Sequence, residues 1–469
     1  MNNELRPYDG YKKTDLLWLD SIPEHWEMTR NKNVMMLSKD TVGKNHSNYV
    51  LLSLTKKGII ARDMENAKGK FPKEFDTYQV VNPGDIVFCL FDIDETPRTV
   101  GLSSKNGMIT GAYTVFKIEN INPKYLYYYY LSIDNNKKLK PLYTGLRKVI
   151  NTDTFLRTKM PNPPQDEQDK IVKFLDFQLS KINKFIKAKK KLIAALKEQK
   201  QAVINEAVTK GINPNVKMKA SGIDWLGDIP GHWKCEKVKK YAKLNPSKGE
   251  AFYKSNSNEK VVFLPMDKIS TYGEIDNSDK RSISDVKNGF TYFEKDDVVV
   301  AKITPCFENG KGACLDKLES NFGFGTTELV VLRANKYMLP QYLYLITRTS
   351  YFRILGEEVM TGSAGQKRIP TEFISNFKLG IPDVIEQEKI IDFIYKRIDK
   401  IEQGIVGVEK EIELITEYRT SLISDVVTGK VDVRNIIIDD IIEEDTDIDE
   451  TEDEIIESEE DINIGESED

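Results

Sequence analysis

The side chains best suited to chemistry lie in short, glycine-punctuated loops, and their types are those of recognition. In the second half of the chain these are Lys302, Thr304, Asn309 and Lys311, then Thr326 and Thr327, then Gln366, Lys367 and Arg368. The first half offers Arg98, Tyr113, Thr114, Arg147 and Lys148. Gln, Asn, Arg and Lys can hydrogen-bond the edges of nucleobases, while Lys and Arg also hold phosphates. The glycines interspersed among them (Gly310, Gly312, Gly325, Gly362, Gly365) let a backbone approach a ligand closely. As a set, these loops suit a polyanion such as duplex DNA.

Groups for bond-making chemistry are sparse. Asn162-Pro163-Pro164-Gln165 looks like the Asn-Pro-Pro-aromatic tetrapeptide of amino-methyltransferases, in which the aromatic ring stacks on a flipped base. Here the fourth residue is Gln, and no Gly-rich strand–turn–helix precedes it to hold a cofactor. The same four residues fit a helix start, with Asn162 as N-cap, Pro163 at the first position and Gln165 at the third. The sequence has no phosphate-binding GxxxxGK[ST] loop, no HExxH and no nucleophile elbow. Cys89, Cys235, Cys306 and Cys314 show neither CxxC spacing nor a disulfide framework, which argues against a zinc site. His25 and His232 are expected to be structural, and Trp18, Trp26, Trp225 and Trp233 to be packing anchors.

The elements that must position these loops occur twice. Trp18-Leu19-Asp20-Ser21-Ile22-Pro23-Glu24-His25-Trp26 returns 207 positions later as Trp225-Leu226-Gly227-Asp228-Ile229-Pro230-Gly231-His232-Trp233. Such duplication fixes the architecture as two tandem units. Each carries short apolar runs between turn residues: Tyr49–Leu54, Ile86–Leu90 and Tyr113–Ile118 in the first, Val261–Leu264, Asp297–Ala301 and Glu328–Leu332 in the second. These read as strands. A helical patch follows in each copy, Tyr125–Tyr129 and Tyr342–Ile346, and then a Thr-Gly loop. Each globular segment is therefore α+β, with a mostly antiparallel or mixed sheet.

A long charged helix closes each unit, residues 166–208 matching 385–427 at an offset of 219. In the first, heptad position a falls on Leu175, Ile182, Lys189, Leu196 and Val203, and d on Leu179, Ile186, Ile193, Lys200 and Ala207. In the second, a holds Ile394, Ile401, Val408, Ile415 and Leu422, and d holds Ile398, Ile405, Ile412, Arg419 and Val426. Seventeen of these twenty positions are apolar, as in a coiled coil. Lys200 and Arg419 share one d position, where a basic residue costs stability but fixes register. The two helices are expected to pack on each other as a pseudo-twofold antiparallel pair, since both partners are on one chain; the alternative is dimerisation of two chains. Gly211 and Gly429 mark the helix ends. The expected domains are thus 1–164 and 210–383 for recognition, 165–209 and 384–429 for the long helices, and 430–469 for an acidic tail.

The net charge of −6 conceals a basic body. Residues 436–469 hold 18 Asp or Glu and no Lys or Arg; without them 56 acids face 68 bases, leaving +12 on residues 1–435. Excess Lys and Arg on a folded body concentrates counter-charge for phosphates. The tail itself is expected to be disordered. No apolar run approaches the ~18 residues of a membrane-spanning helix, the N-terminus lacks the apolar stretch of a signal peptide, and the cysteine usage agrees with a cytoplasmic protein.

With these features the chain resembles the specificity subunit of type I restriction–modification systems over nearly all of residues 8–430. The resemblance rests on the paired Ile-Pro-x-His-Trp boxes, on Ala301–Gly312, Gly325–Glu328 and Gly365–Arg368, and on Glu167-Gln168 and Glu386-Gln387 opening the long helices. The first unit departs from the pattern: Leu146-Arg147-Lys148 stands for Gln366-Lys367-Arg368, and Phe91-Asp92-Ile93-Asp94 for Lys302-Ile303-Thr304-Pro305. The acidic tail lies outside the pattern. The resemblance implies two target-recognition domains, each reading one half of a bipartite, asymmetric site on double-stranded DNA. It implies long helices that space them and dock two modification subunits, and a chain without catalysis or cofactor of its own. S-adenosylmethionine, ATP and Mg would be bound by the modification and restriction subunits. A free-standing adenine methyltransferase using Asn162–Gln165 and a coiled-coil scaffold without a DNA role are the competing readings.

Overall fold

A computed structural model describes residues 5–62, 75–143, 148–363 and 365–438. The chain divides into two compact units, one formed by residues 1–188 together with 411–469 and the other by residues 189–410. The division cuts both long helices, Gln165–Lys210 and Val384–Val427, so each unit owns the start of one and the end of the other.

The physical reason is the seam. A lone helix with a continuous apolar stripe must cover it against something. In the first unit Leu175, Leu179 and Ile182 share a core with Leu422, Ile423, Val426 and Val427, and Ile186 and Ile415 pack against it. In the second unit Ile204, Ala207 and Val208 share a core with Ile390 and Ile394, with Val203 and Ile398 beside them. The beginning of one helix meets the end of the other in both units, so the pairing is antiparallel and intramolecular. All twenty seam positions are buried or half-buried, including Ile193, Leu196, Ile401, Ile405 and Ile412. Lys200 reaches Glu402 on the facing helix and lies 5.1 Å from the Tyr272 ring centre. Its counterpart Arg419 is half-buried, with an Nε that has no hydrogen-bond partner among the described residues.

Each unit adds an antiparallel four-stranded sheet of one topology. In the first the order is Met35–Leu37, Thr114–Ile118, Ile86–Phe88, Val100–Leu102; in the second it is Ala242–Leu244, Leu329–Ala334, Val298–Ala301, Gly312–Cys314. The expected Tyr-rich helices follow at Pro123–Asn135 and Pro340–Thr347. The second unit carries a further mixed sheet in which Lys260–Leu264 pairs parallel with Phe322–Gly325. Among the described residues the first unit has here two antiparallel pairs, the hairpin Leu52–Thr55 with Gly58–Ala61 and the non-local pair Gln79–Val81 with Gly107–Ile109, and a parallel bridge from Leu51 to Met108.

The Ile-Pro-x-His-Trp boxes bind the helix ends. Glu167, almost fully buried, accepts hydrogen bonds from Trp26 Nε1 (2.9 Å) and the Tyr8 hydroxyl, and its second oxygen lies 2.9 Å from His25 Nε2. Glu386 repeats the arrangement with Trp233 (3.0 Å) and His232 (2.7 Å). A buried carboxylate is tolerated only when its oxygens are so occupied. Each box also meets the far helix's terminal glycine. A Cβ on Gly429 would lie 2.3 Å from Pro23 Cδ, and one on Gly211 would lie 3.3 Å from the Trp233 ring. Both glycines have the positive φ of 75° that ends a helix.

Two expectations need correction. Asn162 is not a helix cap: it is the last residue of the strand Lys159–Asn162, paired with Glu27, and the helix opens at Gln165 behind Pro164. Its side-chain oxygen accepts from Gln168 Nε2 (3.2 Å), while Gln168 also donates to the Pro163 carbonyl and accepts from Asn122 N, both at 2.8 Å. Nor does disorder begin at residue 430. Asp432 bridges Arg6, Val433 is buried, Arg434 grips Asp432 through two bonds (2.9 and 2.7 Å), and Ile436 and Ile438 pack on the first core. The rest of the expected tail, residues 439–469, lies outside the described residues.

The seam makes two substitutions diverge. Leu175→Ala removes a fully buried contact and is expected to cost about 2–4 kcal/mol. Lys200→Met replaces one end of a partly solvated ion pair with an apolar stem, and is expected to change stability by less than about 1 kcal/mol. Urea denaturation measures both; an equal loss in the two variants would contradict the seam as the source of stability.

Candidate nucleic-acid interface

In the second unit the polar loops are assembled by backbone hydrogen bonds at the end of the buried strand Val298–Ala301. The chain leaving that strand meets the segment 366–369: Thr304 N donates to the Lys367 carbonyl (3.0 Å), Ile369 N to the Lys302 carbonyl (2.8 Å), and Ile303 bridges Arg368. Lys367 N donates to Thr304 Oγ1 (3.1 Å). On the other side Lys302 N donates to the Glu328 carbonyl (2.8 Å), which brings in Thr326 and Thr327. Lys302, Thr304, Thr326, Thr327, Gln366, Lys367 and Arg368 therefore converge on one edge. Gln366, Lys367 and Thr327 are exposed there, and Lys302, Thr304 and Thr326 are half-buried.

Charge within this group is unevenly available. Arg368 makes a two-bond pair with Glu328, Nε to Oε2 at 2.9 Å and Nη2 to Oε1 at 2.8 Å. Such planar pairs are geometrically specific, and this one ties the 366–369 segment to the strand Leu329–Ala334. Arg368 is then chiefly a brace, and Lys302, Lys367 and Gln366 supply the outward donors. Asn309 and Lys311 sit on the following turn; the Lys311 ammonium donates to the Met266 carbonyl (3.1 Å) and Asn309 is exposed.

The first unit builds the same frame with other chemistry. Asp92 N donates to the Lys148 carbonyl (2.8 Å), Ile150 N to the Leu90 carbonyl (2.7 Å), and Phe91 bridges Val149. These are the bonds of the second unit, and they set the register. Leu90 stands where Lys302 does, Phe91 for Ile303, Asp92 for Thr304, Lys148 for Lys367 and Val149 for Arg368. The correspondence read from sequence, Lys148 with Arg368 and Phe91 with Lys302, is thus one residue out at both places. Strand pairing extends the match, since Thr114 opposes Phe88 as Val330 opposes Val300. Ala112 therefore takes the place of Glu328, and Val149 and Ala112 occupy the positions of the Arg–Glu brace. Equating Asp85 with Asp297, each accepting a backbone N–H from three residues back (2.8 and 2.7 Å), was the available signal.

The remaining first-unit residues are largely engaged. Arg98 Nη1 lies 3.2 Å from buried Asp134 and 3.0 Å from Asn135 Oδ1, bracing the strand Val100–Leu102 on the helix Pro123–Asn135. Asp134 is also held by Thr99 Oγ1 (2.6 Å) and Lys137 Nζ (2.7 Å). Lys148 pairs with Glu95 and with Asp94 (3.3 Å), and the Tyr143 hydroxyl, 2.8 Å from Asp94, holds that carboxyl below its ordinary range. Tyr113 stacks on Phe91 with ring centres 6.3 Å apart, and burial raises its phenol. Thr114 opens its strand, half-buried. Arg147 lies outside the described residues. Among the described residues no group of three His, Cys, Asp or Glu side chains could hold a metal ion, and no helix is long and apolar enough to cross a membrane.

The Arg368–Glu328 brace fixes a pH response. Arg368 holds the Glu328 carboxyl below its ordinary value, so the pair's stabilisation is complete above the unfolded carboxylate range of about 4.3. It is lost as pH falls through the lower folded value. Backbone resonances of residues 366–369 are expected to hold steady from pH 7 to 5 and to shift only in more acid solution; a titration near neutrality would exclude the brace as the controlling group.

A family model for the type I restriction modification DNA specificity domain matches residues 23–197 and again 230–413, well over half of the chain. Over 168 residues, 35% of this chain and 28% of the relative, the sequence is 39% identical to the type I restriction enzyme EcoAI specificity subunit of Escherichia coli. Over 181 residues, 38% of this chain and 30% of the relative, it is 34% identical to the EcoEI specificity subunit of the same organism. The matched region spans under a third of each relative's length. A solved chain of a type I R-M system shares the fold, with TM-score 0.61 over 87% of this chain and 99% of that one, at 11% identity. With the family model matched twice in tandem over both globular segments, the chain belongs to the type I restriction–modification DNA specificity family.

Proposed function

We propose that the chain is the DNA-reading subunit of a type I restriction–modification complex, each unit reading one half of a bipartite, asymmetric duplex site. One observation carries this: two units use the same backbone hydrogen bonds to present different side chains at equivalent positions. Lys302, Thr304, Lys367 and the Arg368–Glu328 brace in one correspond to Leu90, Asp92, Lys148 and the Val149–Ala112 positions in the other. Equal frames with unequal donors suit unequal half-sites, because discrimination comes from the donors and acceptors offered to base edges. A basic body supplies the sequence-independent phosphate attraction.

In this reading the paired helices set the gap between half-sites and dock two modification subunits, with restriction subunits added to the assembly. The chain has no catalysis of its own; S-adenosylmethionine, ATP and Mg belong to the partners. The methyltransferase alternative loses its support, since Asn162 is spent on a strand end and on Gln168. A scaffold without a DNA role gives no reason for the exposed, convergent polar loop edge of the second unit.

Methylome sequencing of a host carrying the chain with its partner subunits tests the proposal. A split motif with two dissimilar halves is expected, and methylation without any split motif would refute it. Gln366→Ala with Lys367→Ala is expected to weaken binding by about 10- to 100-fold and to relax one half of the motif only. Affinity should also fall with salt at about −0.9 per phosphate contact on a log–log plot; a binding curve indifferent to salt would exclude DNA as the ligand.

A further inference from the structure

The first long helix carries a lysine face on the side away from its seam. At 100° per residue Lys170, Lys181, Lys184 and Lys187 fall within about a third of the helix circumference, centred opposite the seam residues Leu175, Leu179, Ile182 and Ile186. All four are exposed. Lys181 lies over the Phe177 ring at 4.0 Å. Asp166 and Asp169 share this face in the first turns, Asp166 one turn before Lys170, and Asp176 is taken by Lys124 (2.8 Å) and the Tyr128 hydroxyl; after Asp176 the helix has no carboxylate until Glu198, so Lys181, Lys184 and Lys187 have none of their own helix beside them. Some other lysines of the unit have acidic partners, Lys117 with Asp40, Lys137 with Asp134, Lys148 with Glu95 and Lys159 with Asp15, while others such as Lys39 and Lys57 are exposed singly rather than as a face. Among the described residues, Lys170, Lys181, Lys184 and Lys187 enter no ion pair.

The same unit delivers an opposite charge. Ile436 and Ile438 pack on the core that the helix enters through Ile171, Val172, Phe174 and Leu175. The sequence then continues through residues 439–469 with 18 Asp or Glu and no Lys or Arg. Thirty-one residues can reach about 100 Å, while helix residues 165–187 extend about 33 Å, so the segment can run the length of the lysine face. Spread over both units, the body's positive charge offers other targets, but between Asp176 and Glu198 this helix carries lysines and no carboxylate, and its first turns share a core with Ile436 and Ile438.

We propose that residues 439–469 dock on the lysine face formed by Lys170, Lys181, Lys184 and Lys187 and so act as a built-in competitor for polyanions. The competition with DNA rests on the reading given under Proposed function; the docking does not. Docked, the acidic segment offsets charge that would otherwise hold phosphates, and it lowers non-specific affinity while leaving the base-reading loops uncovered. Both effects weaken as salt screens the contact.

Zero-length carbodiimide crosslinking of the full chain at low salt, mapped by mass spectrometry, tests the docking without DNA. Crosslinks from acids of 439–469 are expected to concentrate on Lys170, Lys181, Lys184 and Lys187 over exposed lysines of the same unit such as Lys39 and Lys57, and to vanish near 0.5 M salt. An even spread over exposed lysines would overturn the docking. A chain ending at Ile438 is expected to bind a non-specific duplex about 3- to 10-fold more tightly at low salt. That gain should fall below about twofold when the four lysines are changed to Gln in both forms. Concentrated crosslinks with no gain on truncation would overturn the competition. Concentrated crosslinks with no DNA binding by either form would sink the DNA reading and leave the docking standing.

Discussion

Two long helices with unshared apolar stripes cannot stand alone in water, and the fold follows from how that stripe is covered. Each helix begins in one unit and ends in the other, and its beginning always lies against the other helix's end. Leu175 and Ile182 meet Leu422 and Val426 in the first core; Ile204 and Val208 meet Ile390 and Ile394 in the second. The sheets, Tyr-rich helices and Trp-containing boxes of each unit then pack on a helix pair rather than on a single rod. A unit cut from the chain at a globular boundary would lose the far helix's contribution to its core, Leu422, Ile423, Val426 and Val427 in the first and Ile204, Ala207 and Val208 in the second.

The helix ends carry the second constraint. Glu167 and Glu386 are placed at helix starts, where the helix dipole favours a negative charge, and each is surrounded by an indole N–H and an imidazole. Gln168 and Gln387 beside them accept from Asn122 N and Leu339 N, both at 2.8 Å, and donate to the Pro163 and Pro382 carbonyls. The Glu-Gln pair therefore links helix, box and the entry to the Tyr-rich helix in one polar node. Residues that look eligible for chemistry in the sequence, His25 and His232 above all, are consumed by this node.

At those loops the two units show how a duplicated frame diverges. Backbone hydrogen bonds at Leu90–Asp92 with Lys148–Ile150 repeat those at Lys302–Thr304 with Lys367–Ile369. The side chains on that frame have exchanged an Arg–Glu brace for Val149 and Ala112. The exchange is tolerated because Phe91 and Tyr113 stack where Ile303 and Leu329 stand, so apolar contact replaces charge as the tie between segments. Arg98 and Lys148, basic in sequence, are similarly bound to Asp134, Asp94 and Glu95. Net charge in a loop and charge available to a ligand are different quantities.

The sequence by itself determined the repeated architecture, the heptad seam, the left-handed glycines that end both helices and the family. These are written in local periodicity and in residue types with few conformational alternatives. It did not determine which loop residues share an edge. The register of 90–92 against 148–150 depends on pairing between segments nearly sixty residues apart, and a one-residue slip leaves composition unchanged. Nor did it show that Asn162 ends a strand, because only the pairing with Glu27 makes it one. Residues 430–438 likewise read as the start of an acidic tail, yet Val433 is buried and Arg434 lies over Tyr8, at the opposite end of the sequence. In each case the deciding contact is with a residue far away in the chain, and such contacts exist only once the tertiary structure has closed.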